Sequence, residues 1–273
     1  MTYRIFRGDE SIAAIPPDSR GLAYGDGVFE TMRAHRGGVH WRDAHRVRLE
    51  EGARRLRLRL PDMGKLDAGI DALAGEQPDG VLKLLVTRGA AGRGYAAPAD
   101  AEPLWMLSAH ALPPPMRPGG LVVRWCDLRL AIQPALAGIK HCNRLEQVLA
   151  RGEWQADAFD EGLLRDTEGN AVCATAANLF VLLDGRWTTP PVDRCGVAGI
   201  CRAWAIHALD ALVEPLSIAQ VESADAVFLC NAVRGILPVA RLGERSWTPH
   251  AKLGDAMRLL ADAHPAFAHL EYP

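Results

Sequence analysis

The chain has 273 residues, of which 49% are hydrophobic and 23% are charged, and its net charge at pH 7 is −2. This balance gives no indication of the basic surface that nucleic-acid or membrane-surface partners require. No stretch reaches the roughly 20 apolar residues that a transmembrane helix needs. The first residues, MTYRIFRGDE, lack the pattern of a secretory signal, so we expect a cytoplasmic protein.

The first third of the chain predicts one long helix and short strands. Residues Trp41 to Leu60 predict a helix that places Leu49, Ala53 and Leu56 on one face. Val81 to Val86 and Leu104 to Leu107 are apolar runs of strand length.

The segment LPPPMRPGG contains four prolines and two glycines, which interrupt regular structure. We therefore predict an N-terminal α+β domain over residues 1–111, an interdomain linker over 112–120 and a C-terminal α+β domain over 121–273.

The C-terminal part predicts a hairpin and two helices. Asn178 to Leu183 is a strand pattern that Asp184-Gly185 turns into a second strand. Apolar helical stretches follow from Ile200 to Leu212 and from about His250 to Ala263. Because strands and helices do not alternate regularly, the fold class predicted is α+β rather than a doubly wound sheet.

The cysteines form no C-x-x-C pair and have no histidine at zinc-finger spacing. In a reducing compartment we expect them to be thiols that pack as small apolar side chains. No metal site is predicted. The six positions are Cys126, Cys142, Cys173, Cys195, Cys201 and Cys230.

The segment GIKHCNRLEQVLA contains a lysine just before a predicted helix. Asn143 and Glu146 have the spacing of a capping box, which predicts that the helix starts there. Lys140 then lies in a connection, from which its amine can point into a cleft. By position alone, a lysine before a helix is more often solvated than catalytic.

This segment resembles the lysine segment of the 4-amino-4-deoxychorismate lyases. These belong to the fold type IV group of pyridoxal-phosphate (PLP) enzymes, with the branched-chain and D-amino-acid aminotransferases. The resemblance implies a two-lobed α+β fold and covers most of the chain. Its blocks, in the expected order, are GLAYGDGVFETMR, DAHRVRLEEGARRL, TRGAAGRGY, the lysine segment, ATAANLF, PVDRCGVAGICR and CNAVRGILPV.

The resemblance implies PLP as cofactor and assigns its contacts. Lys140 matches the lysine that bonds to the cofactor, and Arg48 matches the arginine that reaches its phosphate. In GVAGICR, glycines lead into a helix whose first N–H groups, from Gly199 to Cys201 and including Ile200, are expected to face the phosphate. Asn231 occupies a position from which a side-chain contact to the phosphate is expected.

One position departs from the family pattern. The family usually has a glutamate before the AANLF run, opposite the pyridine nitrogen of the cofactor, and this chain has Cys173 there. A thiol cannot balance a pyridinium charge as a carboxylate does unless it ionises. Either the electron-accepting power of the ring is weaker here, another acid replaces the glutamate, or the activity has changed.

The resemblance implies a reaction in which Lys140 removes a proton from aminodeoxychorismate and pyruvate is expelled, leaving 4-aminobenzoate. The substrate has two carboxylates, so arginines are expected near it. The candidate substrate-binding residues are Tyr24, Phe29, Arg93, Tyr95 and Arg144. Because fold type IV enzymes place their sites beside a subunit interface, we also expect a homodimer.

Two alternatives remain open from the sequence. A branched-chain or D-amino-acid aminotransferase would use the same lysine, arginine and glycines, although the NRLEQ run favours the lyase. A PLP-binding protein without catalysis is the second alternative, suggested by Cys173.

Overall fold

The structure, a computed structural model, describes residues 2–90, 94–98, 100–155 and 157–268. The chain divides into two compact units. Unit 1 is Met1–Leu112 with Ile139–Asn143, and unit 2 is Pro113–Gly138 with Arg144–Pro273. The predicted division placed all of 121–273 in one domain, whereas residues 139–143 group with unit 1. The role of 112–120 as a linker stays a prediction.

The described residues of unit 1 form a six-stranded antiparallel sheet in the order β2-β1-β6-β5-β3-β4. Its elements are β1 (Thr2–Arg7), β2 (Glu10–Ile12), α1 (Arg20–Tyr24), β3 (Gly27–His35), β4 (Gly38–Val39), α2 (Arg42–Arg55), α3 (Met63–Glu76), β5 (Gly80–Thr87) and β6 (Leu104–His110).

The core of unit 1 lies between α2, α3 and one face of this sheet. Leu49 and Ala53 of α2 are buried there and Leu56 packs against them, which confirms the predicted apolar face. The helix is shorter than the predicted Trp41 to Leu60, because Trp41 and Arg57 have left-handed backbone conformations, with φ of 54° and 51°. These conformations end a right-handed helix at both sides.

Unit 2 contains a mixed sheet, of nine strands among the described residues, in which β9 pairs with both β8 and β10 and so closes a ring of strands. Its elements are β7 (Leu121–Leu130), α4 (Leu145–Arg151), β8 (Glu161–Asp166), β9 (Ala171–Ala174), β10 (Asn178–Leu183), β11 (Arg186–Thr189), α5 (Ile200–Ala208), β12 (Leu212–Val213), α6 (Ile218–Ser223), β13 (Ala226–Asn231), β14 (Gly235–Leu242), β15 (Arg245–Ser246), α7 (Ala251–Ala263) and the 3₁₀ helix Pro265–Phe267.

The predicted hairpin and the last helix of unit 2 are confirmed. Asp184 and Gly185 both have positive φ, 48° and 74°, as a two-residue hairpin turn requires. The predicted helix Ile200 to Leu212 is too long, because Asp210 has a φ of 47° and the chain then forms β12. Together the two units confirm the α+β class.

All six cysteines are free thiols, and five of them are buried, which confirms their predicted state. Among the helices of the described ranges, none combines the length and apolar character that a membrane crossing requires.

The cap at the start of α3 can be tested by mutation. The Asp62 carboxylate accepts a hydrogen bond from the Lys65 N–H at 2.9 Å. Asp62→Ala should lower the free energy of unfolding by about 1 kcal/mol, because that N–H loses its partner. Asp62→Asn retains an acceptor and should cost little. Urea denaturation measures both, and equal losses in the two variants would contradict the capping role.

Candidate active site

The lysine segment pairs with the start of β3. The Phe29 N–H donates to the Lys140 carbonyl at 3.0 Å, and the Cys142 N–H donates to the Gly27 carbonyl at 2.9 Å. Val28 and His141 form the antiparallel bridge between these two bonds. Residues 139–143 therefore behave as a short extra strand at this edge of the sheet, and their pairing fixes where Lys140 lies.

The predicted capping box is wrong, although Lys140 does lie outside the helix. Helix α4 begins at Leu145 after Arg144, and no side chain caps it. Asn143 instead donates from its amide to the Gly25 carbonyl at 3.1 Å, and Glu146 accepts from the Ala131 N–H at 2.8 Å. Both polar side chains instead bond to backbone groups far away in the sequence, and their spacing does not predict such contacts.

The Lys140 amine lies over an aromatic ring that a second lysine shares. Its Nζ is 4.3 Å from the centroid of the Phe29 ring, and the Lys83 Nζ is 5.3 Å from the same centroid. Both distances suit cation–π interaction. Lys83 was not selected from the sequence. The available signal was a charged residue inside the apolar run VLKLLV.

Arg48 is held by a buried carboxylate. Its Nε donates to Glu30 Oε1 at 2.9 Å and its Nη2 donates to Oε2, a bidentate ion pair. The Nδ1 of His45 is 2.6 Å from Glu30 Oε2. Glu30 and Phe29 are neighbours in β3, so their side chains project to opposite faces of the sheet. Glu30 and His45 were missed by the sequence analysis, because their importance comes only from contact with Arg48.

Ion pairing dominates the electrostatics of this cluster. Burial opposes the ionisation of Glu30, but hydrogen bonds from His45 and Arg48 outweigh it and hold the pKa of the carboxyl below its usual value. Burial lowers the pKa of His45 despite Glu30, and the charges of Arg48 and Lys140 lower it further. Glu30 is therefore a fixed negative charge that orients the Arg48 guanidinium beside a neutral imidazole.

In unit 2, the predicted glycine cradle precedes α5, which starts at Ile200 without a side-chain cap. The first N–H groups of such a helix lack partners within the helix and carry its positive partial charge. A Cβ on Gly199 would lie 1.9 Å from Asn178 Oδ1, so a larger residue would have to displace the Asn178 side chain. The Asn178 amide donates to the Val197 carbonyl at 2.9 Å, which ties β10 to this turn.

Cys173 is a neutral thiol in an apolar environment. It is buried in a cluster with Cys126, Leu164 and Cys195. Burial raises the pKa of its thiol to about 12, so it carries no charge at neutral pH. Cys173 therefore cannot replace the family glutamate as an anion.

Asn231 uses its side chain within its own turn. Its Oδ1 accepts from the N–H groups of Val233 and Arg234 at 3.0 and 2.8 Å, and its Nδ2 donates to the Ala176 carbonyl at 3.2 Å. A contact between Asn231 and phosphate stays a prediction.

The candidate substrate residues are distributed over both units. Tyr24 and Tyr95 have their ring centroids 5.5 Å apart, and Tyr95 is 88% exposed. Phe29 belongs to the same unit, whereas Arg144 belongs to unit 2. Arg93 lies outside the described residues.

One further carboxylate of unit 2 was missed. Glu161, the first residue of β8, accepts hydrogen bonds from the Thr175 hydroxyl and from the Ala176 N–H, the latter at 3.3 Å. Burial raises the pKa of its carboxyl, and these hydrogen bonds only partly oppose the rise. The sequence EGLLRD gave no signal that this glutamate differs from a solvated one.

The close approach at Gly199 yields a stability prediction. Gly199→Ala should lower the free energy of unfolding by about 1–3 kcal/mol, because the new methyl group overlaps Asn178 Oδ1. In an Asn178→Ala background the same substitution should cost little. Gly254→Ala is the matched control, since that Cβ would meet only the Arg258 guanidinium at 3.7 Å. Thermal denaturation without cofactor measures all of them. An equal cost at Gly199 in both backgrounds would contradict the proposed overlap.

Comparison with known proteins supplies the family. The amino-transferase class IV family model matches residues 27–242. Aminodeoxychorismate lyase of Vibrio harveyi is 32% identical over 236 residues, which cover 83% of this chain and 86% of that protein. The crystal structure of 4-amino-4-deoxychorismate lyase from Pseudomonas aeruginosa is 41% identical, with a TM-score of 0.89, and the match covers 95% of this chain and 99% of that one. The branched-chain amino acid aminotransferase of Escherichia coli shares the fold at 21% identity, with a TM-score of 0.81 over 97% and 94% of the two chains. The chain belongs to the class IV aminotransferase family, whose fold is fold type IV.

Proposed function

We propose that this chain is a PLP-dependent lyase that converts 4-amino-4-deoxychorismate to 4-aminobenzoate and pyruvate, in the pathway to folate. One observation carries the proposal: backbone pairing holds the amine of Lys140 over the Phe29 ring, in a chain that is 32% and 41% identical to two proteins named for this activity.

Each unit, taken by itself, contains groups that suit PLP. Lys140 supplies the amine for a covalent bond to the cofactor aldehyde, and Arg48, already oriented by Glu30, supplies a planar cation for a phosphate. In unit 2, the start of α5 would supply N–H groups that lack partners within the helix, next to a glycine that Asn178 closely approaches. Bound PLP supplies a ring that accepts electrons from the substrate carbon next to the amine.

Lys140 is the residue that moves protons. Its amine would act as the base that removes the proton from the substrate ring carbon next to the amino group. The protonated Lys140 is then the acid available to the departing enolpyruvyl oxygen. Aromatisation makes this elimination downhill.

Substrate carboxylates require cations. Lys83 is one candidate, because its ammonium group lies at the same ring as Lys140. Arg93 and Arg144 remain proposed partners for the carboxylates. Tyr24, Phe29 and Tyr95 are the proposed aromatic contacts to the substrate ring.

Replacing Lys140 tests the proposal. Lys140→Ala should slow pyruvate release at least about 10²–10⁴-fold, because a general acid–base group is lost. It should also remove the visible absorbance of lysine-bound cofactor. Lys65→Ala, which changes an exposed amine paired with Asp9, should leave both unchanged. Lactate dehydrogenase coupling measures pyruvate formed from enzymatically generated substrate.

The same assay separates the alternatives. Pyruvate release without a keto-acid acceptor is the expected result. Transfer that requires an acceptor would instead identify an aminotransferase, and bound cofactor without turnover would identify a non-catalytic PLP-binding protein.

We also propose that the protein is a cytoplasmic homodimer. Leu145, Val148 and Leu149 of α4 are 76%, 62% and 63% exposed, an apolar face of unit 2 that a second copy of the chain would cover. The six free thiols suit a reducing compartment.

Sedimentation tests the dimer. The wild-type protein should sediment at twice the 29.6 kDa chain mass. Leu149→Glu should shift it toward monomer, because a charge would be buried in the apolar contact. Leu259→Glu changes an exposed leucine of α7, outside the apolar face of α4, and should leave the sedimenting mass unchanged. An active wild-type monomer would remove the proposal.

A further inference from the structure

The turn between β9 and β10, residues 174–178, connects the parts of unit 2 that the family resemblance assigns to the cofactor. Cys173 precedes it directly. Asn178 bonds to Val197 and touches the position of Gly199, while Asn231 donates to the carbonyl of Ala176. This turn therefore lies beside both the cradle and the residue that replaces the family glutamate.

Glu161 is the carboxylate that hydrogen-bonds to this turn. Its Oε1 accepts from the Thr175 hydroxyl and from its own neighbour, the Gly162 N–H, at 2.9 Å for the latter. Its Oε2 accepts from the Ala176 N–H. The side chain is only partly exposed, and three contacts fix it in one orientation.

The direction of the Thr175 hydrogen bond matters. Because the hydroxyl donates to Glu161, the lone pairs of its oxygen remain able to accept from another N–H group. A protonated pyridine nitrogen carries such a donor. The Glu161 carboxylate, which accepts from this hydroxyl, would balance the positive charge of the ring. The neutral Cys173 thiol cannot do so.

We propose that the Glu161 carboxylate, acting through the Thr175 hydroxyl, stabilises the protonated form of the pyridine nitrogen of the cofactor in this chain. Glu161 is a positioning residue, and Thr175 is the group that touches the cofactor. The ring N–H would donate to Thr175 Oγ1, whose hydroxyl donates to the Glu161 carboxylate. This inference rests on the proposed PLP function.

The electrostatics of Glu161 differ from those of the neighbouring glutamate in the sequence, Glu168. Burial raises the pKa of its carboxyl, so in the absence of a positive partner the charged form is disfavoured. A pyridinium supplies the missing positive charge. By contrast, Glu168 in the same hairpin is exposed and already paired with Arg194, which lowers the pKa of that carboxyl.

The test uses protein loaded with PLP labelled with ¹⁵N at the ring nitrogen, whose chemical shift distinguishes protonated from neutral pyridine. Wild-type protein should give the protonated signal. Glu161→Gln and Thr175→Val should each move the signal toward neutral pyridine. Each should also raise the dissociation constant for PLP about tenfold, the effect of losing a charge-assisted hydrogen bond.

Two controls accompany these variants. Thr175→Ser keeps the hydroxyl and should retain the wild-type signal, and so should Glu168→Gln. A folded Glu161→Gln protein with an unchanged ¹⁵N signal would overturn the inference. If that variant fails to fold, Thr175→Val decides alone, because it leaves the carboxylate in place. A wild-type protein that forms no bond between PLP and Lys140 would instead refute the proposed function.

Discussion

The candidate site depends on one backbone pairing, between residues 139–143 and the start of β3. Two hydrogen bonds and one bridge join these segments, and Ile139 is buried in the core of unit 1 beside them. The residues on either side of this segment belong to unit 2, so the chain returns from unit 2 to unit 1 for these five residues. The Lys140 backbone is thus held by pairing with β3, which places its amine near the Phe29 ring.

Two glutamates, Glu30 and Glu161, differ in the direction in which their environments shift the pKa of the carboxyl. Glu30 is surrounded by Arg48 and His45, which lower the pKa of its carboxyl, so its charge is satisfied within the protein. Glu161 has a hydroxyl and backbone N–H groups as partners, and burial raises the pKa of its carboxyl. The first carboxylate orients the Arg48 guanidinium, whereas the second has no cationic side chain among its hydrogen-bond partners in the described residues. The contrast follows from their partners, since both are glutamates at a strand.

The sequence predicted the family, the α+β class, the strand Asn178–Leu183, the hairpin turn and the apolar face of α2, because these depend on local patterns. It failed where tertiary contacts redirect side chains. Asn143 and Glu146 have capping-box spacing, yet each bonds to a distant backbone group. Lys83 and Glu161 were missed because strand pairing, not their local sequence, brings them to Phe29 and Thr175. Glu30 and His45 were missed because only the packing of α2 on β3 brings Glu30 to His45 and Arg48. Helix ends at Arg55 and Ala208 were missed because left-handed residues stop them.

The central claim is that Lys140 is the amine that binds PLP. The most direct measurement is reduction of the PLP-loaded protein with borohydride, followed by proteolysis and mass spectrometry of the peptides. The account predicts that the phosphopyridoxyl group is on Lys140. Labelling of another lysine, such as Lys83, with Lys140 unmodified would contradict it.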